Sequence, residues 1–262
     1  MKKLTPVNYF VLFLATFFFI APLISAAEFS MRGDRGIGHN FQNYTWIVHQ
    51  LGFADALFTS LRLAAITAVI VLVLVVPTVV YVNLSGQRYK RLIEFLCLIP
   101  IIVPVVSIAI GAEVSMPKTL QSTSYELCFF YVVVSLPYVY RTLDIGLQSI
   151  PLATLVEASR SLGGNWIKTF IYVIVPAVRT ATLGALFITI ALSLGEYTLA
   201  VLLHFHTFPT WVTNVSQQNI RGSVALSVVT LLGAWILLAF FAFGSKFKAI
   251  FTRSQMGIAS DE

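Results

Sequence analysis

Six apolar runs, each near the length of a bilayer crossing, restrict the fold of this chain more than any other feature. They occupy roughly residues 7–27, 57–82, 92–114, 125–143, 180–203 and 224–245. A helix needs about 20 mostly apolar residues to cross the hydrocarbon core. The rest of the chain cannot supply a soluble surface instead. It is 58% hydrophobic and only 11% charged, where ordinary soluble domains carry about 25% charge. The sequence therefore predicts an all-α, polytopic membrane protein with six transmembrane helices, built as a single transmembrane domain over 1–262.

Lysine and arginine concentrate on the cytoplasmic side of membrane proteins. With both termini in the cytoplasm, that side holds Lys2, Lys3, Arg88, Lys90, Arg91, Arg141, Arg160, Lys168, Arg179, Lys246, Lys248 and Arg253. The other side holds only Arg32, Arg35, Lys118 and Arg221, with Arg62 near the outer end of the second run. This asymmetry accounts for the net charge of +6 without a nucleic-acid partner. Lys2-Lys3, the first run and Ser25-Ala26-Ala27 have the order of a secretory signal. The run is longer than a signal core of about 7–15 residues, so it is expected to remain as a span.

Prolines stand in several runs, at Pro22, Pro77, Pro100, Pro104 and Pro137, and each is expected to bend its helix. Small residues at Gly184-Ala185 and at Ser223 and Ser227 suit close helix packing. Cys97 and Cys128 lie inside apolar runs with no metal or disulfide spacing. His204 and His206 have no third ligand nearby, and Tyr44 and Trp46 are expected at the membrane interface.

The segment between the fourth and fifth runs, about 144–179, is unlike the rest. Pro151 can open a helix, because its missing N–H is not needed at the first position. Leu152, Leu155, Val156, Ser159 and Leu162 then recur at helical spacing. Glu157 and Arg160 fall off that stripe and are close enough to pair. Gly163-Gly164 follow, where glycine can take the left-handed helix stop. Asn165 can cap a second helix, WIKTFIYVIV, ending near Pro176. The segment predicts a helix, a glycine turn and another helix. Such an elbow is either a docking surface or a hairpin resting on lipid.

Glu157-Ala158-Ser159, Gly163 and Val173-Ile174-Val175-Pro176 together resemble the EAA loop of ABC importer permeases. The family pattern reads Glu-Ala-Ala, three residues, Gly, nine residues, Ile-x-Leu-Pro. Here Ser159 replaces the second Ala, Val173 the Ile and Val175 the Leu, with the spacing kept. The motif spans about 20 residues, and the six-run layout extends the resemblance over nearly the whole chain. The text SLGEYTLA in the fifth run resembles the branch of polyamine, iron, phosphonate and sulfate importers.

This resemblance implies a type I, binding-protein-dependent importer permease in a bacterial inner membrane. Its partners would be a second permease, an ATPase dimer and an extracytoplasmic binding protein. The loop's first helix would enter a groove on the ATPase, with Glu157 facing a basic residue, Ala158 and Ser159 allowing close seating, and Gly163 setting the elbow. The chain has no Gly-x-x-x-x-Gly-Lys-[Ser/Thr] phosphate loop. ATP and Mg are therefore expected on the partner, with no cofactor and no catalytic residue in this chain.

Glu196 lies inside the fifth run, beside Tyr197 and beside Gly195, which permits close helix approach. A carboxylate at that depth is costly and faces a cavity or a partner. It either lines a translocation path or hydrogen-bonds a neighbouring helix. Lining, together with Glu113 near the outer end of the third run, favours a cationic cargo such as a polyamine. The rival is an ion- or proton-coupled secondary transporter using Glu196. An intramembrane enzyme would need clustered His, Asp, Ser or Cys, which the runs lack.

Overall fold

The computed structural model describes residues 6–33, 38–85, 87–121, 123–233 and 235–236. Among the described residues the regular secondary structure is all helix, apart from one isolated antiparallel bridge between Arg32 and His39. It divides into two compact units, residues 1–51 with 212–262, and residues 52–211.

In the first unit, α1 (Pro6–Met31) is apolar around its whole circumference, and α2 is Gln42–Val48. Phe17, Phe18 and Phe19 of α1 are all exposed, as lipid-facing side chains must be. The connection after α1 is tied down locally. Ser30 Oγ lies 2.6 Å from the Tyr44 hydroxyl, and Asn43 Nδ2 donates to the Ser30 carbonyl at 2.7 Å. Trp46 lies against Gly222, where an added methyl would come within 2.7 Å of the ring. The two aromatics expected at the interface therefore anchor this connection.

The second unit begins with α3 (Phe53–Leu84), α4 (Gln87–Ile102), α5 (Val105–Ser115) and α6 (Lys118–Gln121). Then follow α7 (Glu126–Gln148), α8 (Leu152–Ser161), α9 (Trp166–Ala177), α10 (Arg179–Gly195) and α11 (Thr198–Leu202). α12, Phe208–Ser216, begins in this unit and ends in the first, to which α13, Ile220–Gly233, belongs. α1, α3 and α7 are each long and apolar enough to cross a membrane, and the bent pairs α4–α5 and α9–α10 pass the same test together. Of the sixth expected span, 224–245, the part up to Gly233 is helical, in α13, and residues 237–245 lie outside the described residues.

The prolines do not act alike. Pro77 and Pro176 each follow a widened, π-type turn, Val71–Val75 and Phe170–Ile174 respectively. A proline ring clashes with the carbonyl four residues earlier and offers it no N–H. The extra residue in the preceding turn absorbs this defect, so α3 continues past Pro77 as one helix of 32 residues. Pro104 has no such relief and forces Val103 out of helical geometry. There α4 and α5 meet at 101°, so the expected third span is broken rather than curved. The expected fifth span, 180–203, is broken as well, since α10 stops at Gly195 with Glu196 extended and α11 follows. The 79° bend between α9 and α10 lies just before that span.

α7 and α10 form the closest helix pair. A methyl on Gly146 would collide with the Ala181 side chain, and one on Gly184 would touch Thr142 at 3.4 Å. Around this pair one apolar cluster joins Val76, Val79 and Val80 of α3 to Val139, Tyr140, Leu143 and Leu147 of α7. Two ion pairs tie α4 to α7 at the end leading into α8. Lys90 Nζ lies 2.6 Å from Asp144 Oδ1, and Arg141 Nη1 lies 3.1 Å from Glu94 Oε1. The Asp144 side chain is only 2% exposed, with Gln148 donating to Oδ2 at 2.6 Å, and Lys90 also donates to Asn83 Oδ1 at 3.0 Å.

Removing one partner of a buried ion pair strands the other charge and costs about 3–5 kcal/mol, whereas replacing both by apolar residues is often neutral. Asp144→Ala should therefore lower the unfolding midpoint of the detergent-solubilised chain sharply. Lys90→Met combined with Asp144→Leu should recover most of the loss. Equal losses in the single and double variants would remove the ion pair as the cause.

Candidate functional site

The loop 144–179 folds as an elbow whose geometry follows from its sequence. Pro151 sits one position before α8, as its N-cap. Leu152 and Val156, one helical turn apart, are buried in the same cluster as Leu143, Leu147, Ile174 and Val178. Glu157, Ala158 and Arg160 fall on the opposite, exposed face, and among the described residues Glu157 and Arg160 make no ion pair. The acidic group the sequence singles out is thus held on a fixed helix and left open to a partner.

The turn is a Schellman stop. Gly163, at φ +79°, donates its N–H to the Arg160 carbonyl, and Gly164 donates to the Ser159 carbonyl, both at 2.9 Å. A methyl on Gly164 would lie 2.6 Å from Ser159 Oγ, so Gly164 is fixed by space and Gly163 by backbone conformation. Asn165 then caps α9, its Oδ1 accepting from the Lys168 N–H at 2.8 Å. Ser159 Oγ lies 2.8 Å from Thr169 Oγ1, linking the two arms across the turn. That hydroxyl contact gives a physical reason for serine at this position. Pro176 is exposed near the end of α9, just before the bend.

Glu196 is half-buried in the break between α10 and α11. Its carboxylate accepts the Leu199 N–H at 3.0 and 3.1 Å and the Ala200 N–H at 3.4 Å. It therefore caps α11, whose first N–H groups have no intrahelical partner. A methyl added at Gly195 meets nothing within 4 Å, so close helix approach does not explain that glycine. Tyr197, 39% exposed, stands at the start of α11. Leu199 and Ala200 of α11 share a cluster with Ala109 and Ala112 of α5, the helix that carries the exposed Glu113.

Against known proteins, no family model matches the chain. A Mycoplasma genitalium protein named as a spermidine/putrescine transport system permease, PotB homolog, is 22% identical over 91% of this chain and 88% of its own length. A Salmonella paratyphi A protein designated a 2-aminoethylphosphonate transport system permease, PhnV, is 22% identical over 87% of this chain and 89% of its own. The molybdenum transport system permease ModB of Azotobacter vinelandii is 26% identical over 56% of this chain and 71% of its own. The chain is a relative of ABC importer permeases. Its relatives are transport proteins and not enzymes.

Several polar side chains of this permease relative carry no signal in the sequence, because their surroundings come from segments distant in the chain. The Tyr131 hydroxyl is buried without a hydrogen-bond partner. Glu126, at the start of α7, is 2% exposed, and its Oε1 has no partner. Arg62 stacks over the Tyr125 ring at 4.6 Å from its centroid.

Glu196→Ala frees the amides of Leu199 and Ala200, and loss of a cap of this kind costs roughly 1 kcal/mol. Hydrogen exchange over 196–203 should speed up in Glu196→Ala and change far less in Glu196→Gln, whose amide oxygen still accepts. Equal exchange in the wild type and Glu196→Ala would remove the capping role.

Proposed function

We propose that this chain is a permease subunit of an ATP-driven importer and receives force from a separate ATPase through α8. The observation that carries this reading is Glu157, exposed and, among the described residues, without an ion-pair partner, on a helix whose other face is locked into the transmembrane core. Ala158 beside it adds no bulk to the exposed face. Ser159 and Gly163 stiffen the turn, and Pro176 lies at the far end of the second arm. A docked ATPase that moved this helix would move α7 and α9 with it, because Leu152 and Val156 interlock with both. ATP and Mg belong to that partner, and this chain carries no cofactor of its own.

The other partners are a second permease, a paralogue in this reading, and an extracytoplasmic binding protein. The whole of 1–262 serves as one permease domain of a bacterial inner membrane, with both termini and the 144–179 loop in the cytoplasm. The lysine and arginine asymmetry supports that orientation.

The cargo proposed is a polyamine or a similar small charged solute. The half-buried Glu196, Tyr197 next to it and Glu113 on a neighbouring helix place negative charge where a cation would pass. The relative named for spermidine and putrescine aligns over most of the chain, and other relatives are named for a phosphonate and for molybdenum. The secondary-transporter alternative is not favoured, since relatives matching this much of the chain are named as transport-system permeases.

Glu157→Lys reverses the charge at the docking face without touching a buried group. A like-charge contact across an interface costs several kcal/mol. Recovery of the ATPase with tagged permease should fall by roughly tenfold or more, with the helical circular dichroism unchanged. Undiminished recovery would remove Glu157 from the contact.

A further inference from the structure

The second arm of the elbow has a surface that docking through α8 does not use. α9 meets the spanning helix α10 at 79° across the single residue Val178. With α10 crossing the bilayer and the loop on its cytoplasmic side, this bend would turn α9 along the bilayer surface. One side of α9 is committed to protein, with Thr169 and Ile174 buried. Elsewhere Ile167 is 65% exposed, Ile171 50% and Tyr172 75%, with Trp166 at the helix start. Residues 167 and 171 are four apart and share an edge. Lys168 lies exposed on the same helix, and Arg179 is exposed just beyond the bend. Among the described residues neither cation makes an ion pair.

An apolar edge with Trp and Tyr, flanked by free cations, is the composition of a helix lying among lipid headgroups. Water would leave this edge exposed at a hydrophobic cost. We propose that α9 is an interfacial arm. Its Ile167–Ile171 edge is immersed at the acyl boundary, and Lys168 and Arg179 hold anionic phospholipid headgroups. The apolar edge of α9 is followed, past the bend, by an exposed apolar stripe of Leu183, Phe187 and Ile190 on α10. The elbow then has two differently solvated arms, α8 for protein and α9 for the anionic leaflet, and the lipid sets the depth at which Glu157 is presented. This inference rests on the reading of the loop as cytoplasmic.

The test uses the full chain with Cys97 and Cys128 replaced by Ser. It is reconstituted in nanodiscs of phosphatidylcholine, with or without phosphatidylglycerol. Nitroxide labels at Ile167→Cys, Ile171→Cys and Leu162→Cys report collisions with oxygen, which partitions into lipid, and with a water-soluble nickel chelate. Residues 167 and 171 should favour oxygen, more deeply with phosphatidylglycerol, while Leu162, 89% exposed at the turn, should favour nickel. Each cation near an anionic surface contributes about 1 kcal/mol, so Lys168→Gln and Arg179→Gln should each cut the preference for phosphatidylglycerol roughly fivefold.

Nickel access at 167 and 171, or protection there only when an ATPase subunit is bound, overturns the proposal and leaves the importer reading standing. Labelling of Leu162→Cys in intact cells by a membrane-impermeant thiol reagent overturns the cytoplasmic assignment, and with it the proposal. Equal depth in both lipid mixtures overturns the headgroup contact.

Discussion

The seating of Leu152 and Val156 between the ends of α7 and α9 is the contact on which the rest of the structure depends. Without it α8 would be a surface helix tethered at both ends and free to tilt. With it, α8 shares an apolar cluster with Leu143 and Leu147 on one side and Ile174 and Val178 on the other. Close-packed interiors transmit displacement because they have little room to absorb it. The Schellman turn at Gly163-Gly164 and the Ser159–Thr169 contact fix the angle of the arms. The Lys90–Asp144 pair ties the root of the loop to α4. Each of these would matter less if the two apolar residues of α8 were not buried.

The prolines place the interruptions of the spans. At Pro77 a widened turn precedes the proline and the helix carries on, and at Pro104, with none, the span breaks through 101°. Pro22, Pro100 and Pro137, by contrast, sit inside continuous helices. The fifth span ends at Gly195 without a proline, and Glu196 satisfies the amides exposed by that break. Non-helical backbone at membrane depth needs such partners, since lipid supplies none. The capping of Leu199 and Ala200 gives Glu196 a structural task beside any role in a path. One carboxylate with several acceptor positions can serve both, because capping does not use all its lone pairs.

Much of the elbow was legible in the sequence because its signals are local. Pro151, the Leu152–Val156 spacing, the glycine pair and the Asn165 cap each act within a few residues, and each appears where its chemistry requires. The spans were legible as apolar lengths but not as shapes. Pro77 and Pro104 look alike in sequence and differ only in the turn that precedes them. Nor could the sequence pair Lys90 with Asp144 or lay Arg62 over Tyr125, since those contacts depend on how helices distant in the chain come together. It also suggested helix packing for Gly195, which faces open space, and missed Gly146, whose lack of a side chain lets α7 meet Ala181.

The central claim is a division of labour, in which this chain forms part of a membrane path and another supplies ATP chemistry. Native mass spectrometry of the complex purified through this chain tests it most directly. The account predicts an assembly of two six-span permeases with two ATPase subunits bearing phosphate loops, whose hydrolysis is needed for uptake in proteoliposomes. A chain that purifies without an ATPase and moves its solute on an ion gradient alone would contradict it.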